Sequence, residues 1–198
     1  MKDIVFSINL GLIGTEDSRL EIFTDYLKEL AINYKSENLV YEFFLKFENI
    51  PIKLRIAITD NFDDLIHRNK QFSHFDAILV AVNLYNINSI SNYNLMDYVY
   101  FKNYYIFNGF SALVGVDTFL IQEKKVPNKK DITEFNLIQK TQELEFLYCF
   151  KIQDRKRDLT DLFNKMLSYI NLKLKFLNPD LFNRVKSSGE ENTTRNSF

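Results

Sequence analysis

The sequence predicts an α/β fold, a mostly parallel sheet covered on both faces by helices in three layers, with one antiparallel β-hairpin built into it. Three observations predict it. Ile4, Phe6, Ile8 and Leu10 alternate with Val5, Ser7 and Asn9 up to Gly11 and Gly14, and the period then changes: Leu20, Phe23, Leu27 and Leu30 fall on one face of a helix running from Asp17 to about Tyr34. Two alternating segments follow, Tyr41–Phe47 and Ile50–Thr59, separated only by Glu48-Asn49. That connection is too short for a crossover helix, so the pair must turn back as a hairpin. Finally, Phe75–Val82 and Phe110–Val116 are continuous apolar runs, as expected of strands covered on both faces.

The remaining elements fill in around these. Ser18-Arg19-Leu20-Glu21 has capping-box spacing, which predicts Ser18 as an N-cap. A short helix is expected over Asp63–Asn69, a longer one over Ser91–Tyr104, and a charged loop over Lys124–Lys130 around Pro127. A helix over Asp131–Glu143, a strand over Leu144–Ile152 and an amphipathic helix over Leu159–Leu177 complete the alternation of strands and helices around the hairpin. One domain is expected over 1–177 and a flexible tail over 178–198, where apolar density falls after Pro179.

Composition narrows the function classes. The 198 residues are 46% hydrophobic with 19 Phe and 11 Tyr, enough for a full core. A net charge of -1 gives no electrostatic reason to expect nucleic acid or an anionic membrane as partner. The single cysteine, Cys149, rules out an internal disulfide framework and fits a reducing compartment. No signal peptide, apolar spanning run, prenylation cysteine or myristoylation glycine is visible. The expectation is a cytoplasmic domain without a membrane anchor.

The stretch Gly11-Leu12-Ile13-Gly14-Thr15-Glu16-Asp17-Ser18 stands where a phosphate-binding loop, G-x-x-x-x-G-K-[ST], would stand. Gly11 and Ser18 match its ends, while Glu16 replaces the second glycine and Asp17 the lysine. At ~4 Å and an effective dielectric near 20, one unit charge is worth about 4 kcal/mol, so exchanging a cation for an anion would weaken triphosphate binding by several decades.

That loop and the element order resemble the Ras superfamily of small GTPases over residues 3–175. The resemblance implies a P-loop-NTPase-like, Ras-like sandwich. In the family a D-x-x-G motif ends the hairpin's second strand; here Asp60 keeps the aspartate, Asp63 replaces the glycine, and Asp64 stands where a water-positioning glutamine is common. The guanine-reading N-K-x-D motif is replaced by Val116-Asp117-Thr118-Phe119, and Lys151–Asp154 does not match the S-A-K loop. Ser36 is the hydroxyl nearest the expected switch threonine. The resemblance therefore implies a pseudo-GTPase with no catalytic residue, no GTP, GDP or Mg²⁺ cofactor and no metal site. It would act as a structural or adaptor subunit in a heteromeric protein complex. Family partners bind at the hairpin edge, the following loop and adjacent helices, which points to Tyr41, Phe43, Phe62, Tyr98 and Tyr104.

Each feature also has a plainer explanation. Glu16 and Asp17 suit a cation, or simply compensate a helix N-terminus. Asp60, Asp63 and Asp64 with Asp17 suit a hard cation, or a solvated loop and helix cap. His67 and His74 lack a third ligand at zinc spacing and read as solvated. Cys149 reads as a buried structural thiol. The basic stretch Lys151–Arg157 contains Asp154 and precedes Asp158, so it reads as a solvated loop rather than a phosphate contact. The aromatics between Tyr98 and Phe107 cannot all face inward on one helix, and an exposed subset would form a protein-binding patch. Two other functions compete. One is a divergent GTP-binding switch, with Mg²⁺ and a replacement cation from Arg19 or Lys70. The other is a receiver-like module phosphorylated on Asp60, which the hairpin argues against.

Overall fold

The computed structural model describes residues 5–37, 40–121 and 131–195. Within them seven strands form one sheet: β1 (Phe6–Ile13), β2 (Asn33–Glu37), β3 (Val40–Phe47), β4 (Ile50–Thr59), β5 (Ala77–Asn83), β6 (Phe110–Val116) and β7 (Tyr148–Ile152), in the order β2-β3-β4-β1-β5-β6-β7. β1 lies between β4 and β5, parallel to both, and β6 and β7 continue the parallel side. β3 runs antiparallel to β4. Its turn residues Glu48 and Asn49 have φ of 48° and 65°, the left-handed pair a two-residue hairpin demands.

The helices are α1 (Glu21–Leu30), α2 (Phe62–Arg68), α3 (Ile87–Ser91), α4 (Leu95–Tyr105), α5 (Thr118–Ile121), α6 (Glu134–Glu143), α7 (Arg155–Leu177) and α8 (Pro179–Arg195). One face of the sheet packs on Phe23 and Leu27 of α1, on Leu159, Leu162, Phe163, Met166, Leu167 and Ile170 of α7, and on Val185 of α8. The other packs on Phe62 and Leu65 of α2, Tyr98 and Phe101 of α4 and Leu137 of α6. This is a three-layer α/β sandwich, as the continuous apolar runs predict; β5 is buried at every position but Asn83, and β6 throughout.

Several boundaries differ from the sequence expectation. Helix α1 ends at Leu30, and the residues expected as its last turn become β2, paired with β3 from Asn33↔Phe44 to Glu37↔Val40. Tyr34 reaches the sheet by stacking on Phe43, at 6.1 Å between ring centroids, which outweighs the weak helical period there. The helix expected over 91–104 starts later, as α4 at Leu95, because Asn94 accepts from the Asp97 amide and caps it there, and a separate short helix, α3, precedes it. The last parallel strand begins at Tyr148 rather than Leu144, which caps α6. The expected flexible tail is helical over Pro179–Arg195. Val185 is buried, Leu181 and Phe182 pack beside it, and the helix lies against β4 and α7. The charged loop expected at 124–130 and the first expected strand residue, Ile4, lie outside the described residues. No described helix is long and apolar enough to cross a membrane.

Candidate functional site

Open α/β sheets hold ligands beyond the carboxyl ends of their strands. Here that edge is formed by the segments after β1, β4, β5, β6 and β7. Gly11, taken from sequence as the start of a phosphate loop, is inside β1, opposite Ala57 and Ile78. A Cβ on it would lie 2.6 Å from Ile78 Cδ1 and 2.7 Å from Leu65 Cδ2, so this glycine makes room for core side chains rather than phosphate. The loop after the strand starts at Gly14, whose amide donates to the Thr59 carbonyl. Counted from Gly14, the phosphate-loop pattern puts Arg19 at the second glycine, Leu20 at the lysine and Glu21 at the hydroxyl residue. Arg19 takes the left-handed conformation, φ 58°, that a glycine would take without strain.

The loop's amides turn inward on themselves. Ser18 N–H donates to Thr15 O, Arg19 N–H to Glu16 O, Ile22 N–H to Arg19 O and Phe23 N–H to Leu20 O. A 3-10 turn over Glu16–Ser18 thus engages the Ser18 and Arg19 amides, and the first turn of α1 engages those of Ile22 and Phe23. Ser18, expected as the N-cap, is fully buried and makes no cap hydrogen bond; its hydroxyl lies 3.2 Å from that of Thr15. Leu20 takes the cap position of α1 instead. Glu16 is exposed in the turn.

Asp17 is the centre of the edge. One carboxylate oxygen accepts from the Thr15 hydroxyl, and the other from Asn86 Nδ2 at 2.6 Å and Asn83 Nδ2 at 3.4 Å. Burial pushes this carboxyl up, but the bonds from Thr15, Asn86 and Asn83 more than offset that and hold it below the ordinary value. Asn83 ends β5 and also accepts from Thr118 Oγ1 at 3.2 Å, so one chain of side-chain bonds joins the loops after β1, β5 and β6. Tyr93 is buried over the same edge, with its hydroxyl 3.4 Å from the Asp60 carbonyl; burial raises its pKa, and the Asp60 and Asp17 carboxylates add to that.

Asp117 follows β6 and is completely buried. Its amide donates to the Ile152 carbonyl, and its carboxylate accepts from Gln153 Nε2 at 3.3 Å, joining the loops after β6 and β7. Tyr85 lies against it and is pushed up to about 12, first by burial and then by the Asp117 carboxylate. Asn83, Asn86, Tyr93 and Gln153 are absent from the sequence-derived site. The available signal was two asparagines three residues apart at a strand's end, and these residues meet Asp17 only once β1 and β5 are neighbours.

The acidic group after β4 separates. Asp60 is exposed, Asp63 faces His67 at 3.3 Å along α2, and Asp64 pairs with Arg68 at 2.9 Å while its amide is capped by Asn61. Among the described residues no three His, Cys, Asp or Glu side chains converge on a metal position. His74 sits at the opposite edge of the sheet, beside Asn9 and Asp76. Cys149 is half-buried on β7, its thiol pushed up by burial. In the basic stretch, Arg155 pairs with Glu29 and Arg157 with Asp158, while Asp154 caps α7.

The five partner candidates divide. Phe43, Phe62 and Tyr98 are core residues, and burial removes them from any surface role in this fold. Phe62 packs on Tyr98 and Phe101. Tyr41 is half-buried at the hairpin, and Tyr104 is 56% exposed on α4 beside Tyr100, which is 53% exposed. No family model matches the chain, and no curated protein matches it in sequence.

Proposed function

We propose that the chain is a Ras-like domain that works without nucleotide, as a structural or adaptor subunit held in a complex by protein contacts. The supporting observation is Asp17. An anion, bonded to Thr15, Asn83 and Asn86, stands at the edge where a nucleotide's phosphates would need cations and free amides. The turn around it engages the Ser18 and Arg19 amides, and Leu20 occupies the lysine position counted from Gly14. The strand order β3-β4-β1-β5-β6-β7, with its antiparallel pair beside β1, fits the element order on which the resemblance rests, and β2 is an addition at the edge. Where the family's guanine-reading motif would stand, Asp117 takes the lysine position and is buried against Tyr85 and Gln153.

The surface offered to a protein partner is the outer side of α4. This helix is apolar on both sides, with Tyr98 and Phe101 inward and Met96, Tyr100 and Tyr104 outward. Exposed aromatics on a rigid helix are the residues that dominate protein interfaces.

The test is the nucleotide content of the purified protein after denaturation, together with a thermal shift in Mg-GTP and Mg-GDP. Empty protein with an unmoved melting temperature is the expected result. Stoichiometric guanine nucleotide, or a rise of several degrees, would replace this proposal with a divergent GTP-binding switch. Its cation would then have to be recruited from Arg19, now paired with Glu21, or from the exposed Lys70.

A further inference from the structure

Among the described residues the sheet ends at β2, which pairs only with β3 and whose five residues, Asn33 to Glu37, are all exposed. This strand contains no proline, glycine or bulge to blunt the edge, and Ile32 immediately before it is 77% exposed. An uncovered strand with unused amides and carbonyls is a template for another strand.

The charges on this strand specify which one. Lys35 and Glu37 are two residues apart and so share a face of the sheet. Lys35 lies opposite Glu42 in the β2–β3 ladder, yet the Glu42 carboxylate is committed to Lys53 at 2.9 Å and Arg55 at 3.1 Å on β4. Lys35 and Glu37 form no ion pair with another described residue. In a symmetric antiparallel pairing about Ser36, Lys35 of each copy stands directly opposite Glu37 of the other, making two equivalent ion pairs. Shifting that symmetric register by two residues in either total sets Lys35 against Lys35 or Glu37 against Glu37. One register is thus attractive and its symmetric neighbours are repulsive, which is how a sheet edge selects its partner. The same face carries a groove of about 600 Å³ whose lining includes Lys35, Glu37, Glu42 and Arg55, so the second copy extends an already charged floor.

We propose that two copies of this chain associate through β2, antiparallel about Ser36, to form one continuous sheet. This pairing is independent of the nucleotide site and leaves the outer side of α4 open to a different protein.

The test is sedimentation equilibrium of the full chain between about 1 and 500 μM, comparing wild type with Lys35→Glu, Glu37→Lys, the double variant, and an equimolar mixture of the two single variants. Wild type is expected to dimerise with rising concentration. Each single variant alone should lose at least about tenfold in affinity, since two attractive cross-strand pairs become repulsive. The mixture and the double variant restore opposite charges at both positions and should recover the dimer. Recovery on mixing also shows that each single variant is folded. Wild type that stays monomeric throughout overturns the proposal and leaves the edge to a strand of another protein. Single variants that dimerise as well as wild type overturn it too, by placing self-association elsewhere.

Discussion

Asp17 is a single acidic residue that joins the loops after β1 and β5. Its carboxylate gathers donors from two chain segments, so its loss should be felt in stability. Asp17→Asn keeps the size but removes the charge, and turns one acceptor into a donor facing the amides of Asn83 and Asn86. A cost of about 1.5–3 kcal/mol in urea unfolding at pH 7 is expected, the usual range for hydrogen bonds to a charged group. Because the folded pKa of Asp17 is depressed, its contribution is present above the ordinary value of 3.8 and is lost as pH falls through the folded value. The deficit of the variant should therefore shrink as the pH is lowered from 7 to 3. A deficit unchanged with pH would show that the carboxylate's charge is not what the asparagines hold. Asp17 was legible in the sequence as an acidic residue in the loop after β1, although the lysine position counted from Gly14 is Leu20. Its partners were not, because Asn83 and Asn86 lie more than sixty residues away and approach only through the β1–β5 pairing.

At the scale of elements, α8 is the largest departure from expectation. Its sequence carries Leu181, Phe182 and Val185 within an otherwise polar helix, too sparse a stripe to distinguish from a tail. The hairpin supplies the missing reason. β4 presents Ile50, Ile52 and Leu54 on the face shared with α1 and α7, and α8 covers what those helices leave open. Val185→Ala should cost about 2 kcal/mol in urea unfolding, from two buried methyl groups and the cavity they leave. A change under about 0.5 kcal/mol would mean that the helix adds nothing to the core. β2 was hidden for a related reason. Its five residues bury nothing of their own, so no apolar alternation marks it, and its pairing with β3 is what makes it a strand.

The whole molecule is one sheet with a core on each face, and its response to acid sums over several carboxylates. Burial pushes Glu42 and Asp158 up, but Lys53 and Arg55 bring the first below its ordinary value, and the amides of Gln153 and Asp154 bring the second below. With Asp17, all three contribute stability that is lost as pH falls through their depressed values. Asp76 opposes them: burial raises it despite the Asn9 amide, so its contribution is fully present below 3.8 and lost as pH rises. Removing the opposing group should show directly: between pH 7 and pH 3 the urea midpoint of Asp76→Asn should fall more steeply, or rise less, than that of the wild type. An identical pH profile would show that Asp76 does not act in this way. The sequence by itself determined the layered α/β class, the hairpin, the buried parallel strands and the inward face of α7, because periodicity and a two-residue turn are local properties. It also determined that the phosphate-loop lysine is absent. Only the tertiary structure decided that the loop begins at Gly14 rather than Gly11, that Phe43, Phe62 and Tyr98 are core, that α8 covers the sheet and that β2 ends it among the described residues. Each of those depends on which strand lies beside which, and strand adjacency is a relation between distant segments that no local pattern encodes.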